Sequence, residues 1–256
     1  MTIRKILLVE GSTDKYFVER LISREIPELY QEYKKNTFEI QPKEYKDIFE
    51  IQSKGGVNNV MNEVQIILRD LLESSNDTEM RLGIIADADY KNADGKGQKT
   101  ETGFDKRWES FSKILEHYGY FSDLPKKKLQ GTLFQHNDGL NPIGLWLMHS
   151  HFEDGYLEKL LLNSIDKNKP ITNDVTQGHL LTEVDNAIKN LGAKELKVFK
   201  NFREEKAKVF TWLAWQKEPR HFIADVIHYK DPQNDLIKID NKNIQALVRW
   251  LRQVFV

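Results

Sequence analysis

The sequence predicts an α/β protein with a mainly parallel sheet flanked by helices, followed by a helical C-terminal elaboration. Three observations carry that prediction. Short apolar runs at 6–9 and 81–86 have the pattern of strands buried on both faces. Segments of helical periodicity separate these runs. After Asp154-Gly155 the periodicity is helical almost to the end of the chain.

In order along the chain, the run 6–9 (Ile-Leu-Leu-Val) is the first strand. Gly11-Ser12-Thr13-Asp14 reads as a turn and helix start, with Ser12 or Thr13 able to cap the first turn. Tyr16, Phe17, Arg20 and Leu21 continue as an amphipathic helix to about Arg24. A second strand at 49–52 ends at Gly55-Gly56, and 57–72 is the next helix. The strand 81–86 stops at Asp87-Ala88-Asp89, and the Gly-, Asp- and Lys-rich 90–102 reads as a loop. A helix at 107–117 and strands at 131–135 and 143–148 complete this half, the strands joined by a turn containing Asn137-Asp138-Gly139. Helices follow at 156–162, 179–191, 204–216 and 243–255. The organisation expected is a core over 1–165 and a helical region over 166–256 packed on it.

Composition bounds the function. Of 256 residues, 39% are hydrophobic and 11% aromatic, enough to fill a core and argue against global disorder. There are no cysteines, which excludes disulfides, thiol nucleophiles and Cys-ligated zinc or iron–sulfur groups. The longest apolar runs, 143–148 and 160–162, are too short to span a bilayer, and the opening residues lack the pattern of a secretory signal. No membrane association and a cytoplasmic location are the expectation. A net charge of -1 provides no global basic field, so a nucleic-acid contact would need a local patch or metal ions.

The chemistry concentrates at strand ends. Glu10 ends one buried strand, Asp14 stands in the first turn behind it, and Asp87-x-Asp89 ends another. In a β-α-β-α-β order the carboxyl ends of parallel strands lie side by side, where ligands collect. Glu10, Asp87 and Asp89 would then converge, and unpaired carboxylates that close repel and raise one another's pKa. A divalent cation offsets such a cluster, and hard oxygen ligands select Mg²⁺ or Mn²⁺. With Asp14 included there are ligands for two ions. Ions about 3.5–4 Å apart can activate a water and stabilise the leaving oxygen of a phosphodiester.

The run Leu7-Leu8-Val9-Glu10-Gly11-Ser12-Thr13-Asp14 resembles the glutamate motif of the Toprim (topoisomerase–primase) family, and Ile84-Ile85-Ala86-Asp87-Ala88-Asp89 resembles its Asp-x-Asp motif. The resemblance implies a Toprim-like Rossmannoid core, Mg²⁺ binding and phosphoryl-transfer chemistry on DNA or RNA. Within the family the chain is most similar to the stand-alone and OLD-like nuclease branch. There, residues at the places of Asp14 and Glu158 help to hold a second metal, the latter in Gly155-Tyr156-Leu157-Glu158. The stretch 206–216 resembles an uncharacterised Toprim-like branch, and Lys206 and Lys208 lie close to where OLD-like enzymes use a catalytic lysine. Met148-His149-Ser150 departs from the Pro-Asp-Asn-like turn of the family. The resemblance also implies an ATPase partner and a role in phage defence.

Plainer readings stand beside these. Asp-x-Asp favours turns, and Asp14 and Glu158 suit first turns of helices. Lys194, Lys197, Lys200, Arg203, Lys206 and Lys208 form either a phosphate-binding face or a solvated surface, and Lys126–128 is a solvated loop. Trp146, Trp212, Trp215 and Trp250 read as core. His149-x-His151 has metal-like spacing without a third soft ligand, so zinc is not expected. A non-catalytic Toprim-like module that binds nucleic acid or a partner is the alternative to a nuclease.

Overall fold

The structure, a computed structural model, describes residues 3–38, 47–73, 79–90, 103–123, 129–148, 150–151, 153–193, 203–220, 222–229 and 231–256. The expected loop at 91–102, Lys126–128, His149 and the lysines at 194, 197 and 200 lie outside these residues. Six strands form one sheet: β1 (Ile3–Val9), β2 (Asp47–Ser53), β3 (Glu79–Asp87), β4 (Tyr120–Phe121), β5 (Thr132–His136) and β6 (Ile143–Met148), in the order β2-β1-β3-β6-β5-β4. The pairs β1–β2, β1–β3 and β3–β6 are parallel, and β5 joins β6 and β4 antiparallel. This is the predicted α/β architecture with a mostly parallel sheet.

Alternation along β1 divides the core. Leu7 and Val9 face one apolar cluster with Phe49, Ile85, Trp146 and Met148. Ile6 and Leu8 face the other with Ile84, Leu145 and Leu147. Helices α1 (Ser12–Glu25), α2 (Pro27–Phe38), α5 (Leu157–Ser164), α7 (Glu204–Ala214) and α8 (Lys242–Phe255) contribute to the first cluster. Helices α3 (Val57–Glu73) and α4 (Phe104–His117) cover the second, and α6 (Gln177–Ala193) packs beside α7. Both faces of the central strands are therefore dry along their apolar runs, 6–9 in β1 and 82–86 in β3. Among the described residues, no helix is long and apolar enough to cross a membrane.

Several expectations are corrected. The helix begun at Ser12 ends at Glu25, as expected, but a further, unexpected helix, α2, starts at Pro27. Ile26 precedes proline and leaves helical geometry (φ -135°, ψ 63°), while Pro27 needs no amide donor in a first turn. The cap of α1 is Gly11 without a side-chain bond, so neither Ser12 nor Thr13 caps it. The four C-terminal helices stand where expected, as α5, α6, α7 and α8, and 3₁₀ turns at Ile223–Val226 and Pro232–Asn234 and an isolated bridge between Ile165 and Ile237 lie in the stretches between them. Trp215 is 48% exposed rather than core, because α7 ends at Ala214 and Trp215 lies past its apolar face.

Helix α8 lies directly on the sheet because glycines leave room for it. A methyl group on Gly144 of β6 would sit 2.4 Å from Val254 Cγ2, and one on Gly83 of β3 would sit 2.7 Å from Phe255 Cζ. Both distances are far inside van der Waals contact, and the neighbours are packed core groups. Gly144→Ala should therefore lower stability by about 1–3 kcal/mol through overpacking. Urea denaturation tests this, and an unchanged midpoint would contradict the close packing of α8.

Candidate functional site

Strands β1 and β3 are parallel neighbours with Val9 opposite Ile85, so Glu10 leaves β1 beside the last residue of β3, Asp87. The Asp87 amide donates to Glu10 Oε2 at 3.2 Å. The Glu10 carbonyl accepts from Gly55 at 2.8 Å and Gly56 at 3.0 Å, and its carboxylate also accepts from the Val57 amide. Gly55 (φ 74°) and Gly56 (φ 136°) hold conformations that side chains disfavour. The Gly-Gly pair, read from sequence as the end of a strand, thus forms the donor turn that fixes Glu10. Burial raises the Glu10 pKa, and Asp89 adds to that while Arg107 and the amide donors oppose it.

Asp14 reaches back from α1 to accept the Gly11 amide at 2.8 Å. Burial, reinforced by the charges of Glu10 and Glu158, pushes it up to about 7. Asp87 is driven well above the usual carboxylate range, first by burial and then by Asp14, Glu10, Glu158 and Asp89. Its Oδ1 is buried and has no hydrogen-bond partner among the described residues. An orphaned carboxylate oxygen is costly, and a proton or a cation would relieve it.

Asp89 departs from the extended geometry that would set both carboxylates of Asp-x-Asp on one side. It lies in the left-handed region (φ 61°), where the chain turns and the Asp89 carbonyl accepts the Gly155 amide at 3.0 Å. Its carboxylate pairs with Arg107, whose Nε also donates to the Asp87 carbonyl at 3.2 Å. Arg107 is therefore the internal counter-ion of the motif. In the sequence it is one basic residue in an amphipathic helix, and nothing there marks it.

Glu158 is buried in the first turn of α5, with Lys206 Nζ of α7 3.6 Å from its Oε1. Lys206 is 62% exposed and lines the cleft together with Arg203. Lys208 is not brought there: it pairs with Asp185 at 2.8 Å and Glu204 at 3.2 Å, two residues further around the helix. Tyr90 ties the turn after Asp89 to α7 by donating to the Glu205 carboxylate at 2.6 Å, and its ring meets Tyr156 edge-on at 5.2 Å. Tyr90, Tyr156 and Glu205 are further residues that the sequence does not single out, because each pairing joins distant segments.

A cleft of about 450 Å³ collects Glu10, Asp14, Asp87, Asp89 and Glu158, with Lys206 at its edge. The oxygen-only donor set suits a hard cation, and the orphaned Asp87 Oδ1 points to the same need. Among the described residues, however, no group of three or more His, Asp or Glu side chains is closed around a metal position. The pairing of Asp89 with Arg107 withdraws one carboxylate. His151 contributes no ligand either: Leu147 donates to its Nδ1 at 2.8 Å, and its Nε2 meets Thr132 Oγ1 at 2.6 Å. Burial depresses it to about 3, so it is a neutral core histidine carrying its proton on Nε2.

The raised Asp14 pKa has a definite consequence. Below pH 3.8 the group is protonated in both folded and unfolded chains; as pH rises, the unfolded chain ionises first. Its contribution is thus fully present below pH 3.8 and is lost as pH rises to about 7. In chelator, wild type should lose stability over that window relative to Asp14→Asn, by urea denaturation. A pH-independent difference between the two would contradict the burial of this charge.

No curated protein and no solved structure matches the chain. A family model described as "Protein of unknown function (DUF3226)" matches residues 4–256, and the chain belongs to that family.

Proposed function

We propose that the chain is a divalent-metal-dependent nuclease of the Toprim kind, hydrolysing phosphodiester bonds in DNA or RNA. The observation that carries this reading is the buried, unpartnered Asp87 Oδ1 in a cleft with Glu10, Asp14 and Glu158 at the carboxyl ends of parallel strands. Glu10 and Asp87 would hold one Mg²⁺ or Mn²⁺, and Asp14 and Glu158 would help to hold a second. Asp89 would join only if its pairing with Arg107 opens. When bound, such ions supply charge compensation for the phosphate and ease deprotonation of the attacking water.

The protein's own groups would do the rest. The Gly55, Gly56 and Asp87 amides orient Glu10. Asp14, with its pKa pushed up to about 7 in the metal-free cleft, would release its proton as it takes up the ion. Lys206 Nζ, largely exposed beside Glu158, is placed to balance charge that builds on the phosphate as the ester P–O bond breaks. By the same resemblance, an ATPase partner would gate the activity in phage defence.

The lack of a closed group of three ligands among the described residues favours a second reading, a non-catalytic module that binds nucleic acid or a partner. Incubation of plasmid DNA and bulk tRNA with Mg²⁺ or Mn²⁺ separates the two. The nuclease reading expects cleavage of one substrate, abolished by chelator and reduced at least ~100-fold in Asp87→Ala. Nucleic-acid binding without cleavage would select the module, and cleavage retained in Asp87→Ala would overturn the site.

A further inference from the structure

A second cavity, of about 580 Å³, lies at the other end of α7 and shares no lining residue with the acidic cleft. Its described lining carries Arg20, Lys169, Lys217 and Arg220 against the carboxylates of Glu218 and Asp225. Two of the cations that line it are oriented by backbone carbonyls, with the carboxylates of Asp235, Asp166 and Asp231 acting on Lys169 from around it. Lys169 Nζ donates to the Gln233 and Asp235 carbonyls, and Arg220 Nη1 to the Asp225 carbonyl. Arg20 stacks its guanidinium 4.6 Å above the Tyr229 ring, and its Nη1 is buried with no hydrogen-bond partner among the described residues. Burial and the charge of Arg220 lower the Lys169 pKa, while Asp235, itself bonded to Arg24 and the His228 amide, opposes them.

A buried guanidinium donor left open beside half-buried cations is unfavourable in the empty cavity and would be satisfied by an oxyanion. We infer that this cavity binds a phosphate-bearing small molecule through Arg20, Lys169 and Arg220. The volume exceeds what inorganic phosphate fills and suits a ligand up to mononucleotide size. A mobile metabolite and free phosphate share the same anchoring chemistry, so the ligand's remaining atoms decide between them. The exposed faces of Tyr229 and Phe222 border the neighbouring groove and offer apolar surface for an organic moiety.

Calorimetric titration of the full chain in chelator tests this, with inorganic phosphate, a nucleoside 5′-monophosphate and the parent nucleoside as probes. Chelator removes any metal-bridged binding at the carboxylates, so failure of the nuclease reading leaves the result intact. Both phosphates should bind and the nucleoside should not; Arg20→Gln and Arg220→Gln should each weaken binding about tenfold or more. Tighter binding of the monophosphate than of phosphate identifies an organic ligand, and equal binding identifies phosphate itself. Arg20→Gln removes the Nη1 donor, which makes no hydrogen bond among the described residues, so it remains informative if Arg220→Gln disturbs its turn. No binding of either phosphate, or equal weakening by Lys113→Gln on the remote face of α4, would overturn the site.

Discussion

Two parallel strands in register place two carboxylates where water is scarce. With Val9 opposite Ile85, the ends of β1 and β3 set Glu10 against the Asp87 amide, and both line the cleft. The geometry follows from the hydrogen-bond ladder of the sheet and needs no attraction between the side chains. Their mutual repulsion is carried by the cores on either side of the sheet, which bury Ile6, Leu7, Leu8 and Val9 of β1 on both faces. Moving β1 or β3 by one residue would turn their apolar side chains to the wrong layer, so register and site are fixed together.

The same constraint sorts the charges around the cleft. Asp89, past the strand end, escapes into a left-handed turn and pairs with Arg107. Glu158 has Lys206 within 3.6 Å, and Asp14 has the Gly11 amide. Asp87 Oδ1 receives nothing from the described residues, so the strain of the cluster is concentrated there. Functional sites commonly hold such strain, with the cost offset by packing elsewhere. Here that packing includes α8, seated on Gly83 and Gly144 from the far end of the chain.

The parts of this arrangement that are local in the sequence can be read from it. The apolar runs of β1, β3 and β6 reveal strands buried on both faces, and their order reveals the parallel sheet. Glu10 and Asp87 are legible because each directly follows or ends such a run. Asp89 is only half legible, because its left-handed conformation depends on Gly155, distant in the chain. Arg107, Glu205 and the donor role of Gly55-Gly56 are tertiary facts with no periodic signature. Helix α2 was within reach, since Ile26-Pro27 is both a stop and a start signal. Lys206 and Lys208 look equivalent as a basic pair, and only the rotation of α7 separates the residue beside Glu158 from the one facing α6.

We propose that the carboxylate cluster, strained by the fold, is relieved by a divalent cation. Unfolding by urea at pH 8, in saturating Mn²⁺ and in chelator, measures that relief directly. Wild type should gain stability in Mn²⁺, by about 2.7 kcal/mol when the ion is at a hundred times its dissociation constant, and Asp87→Asn should gain far less. Equal stability of the wild type with and without Mn²⁺, or an equal gain in Asp87→Asn, would contradict the claim.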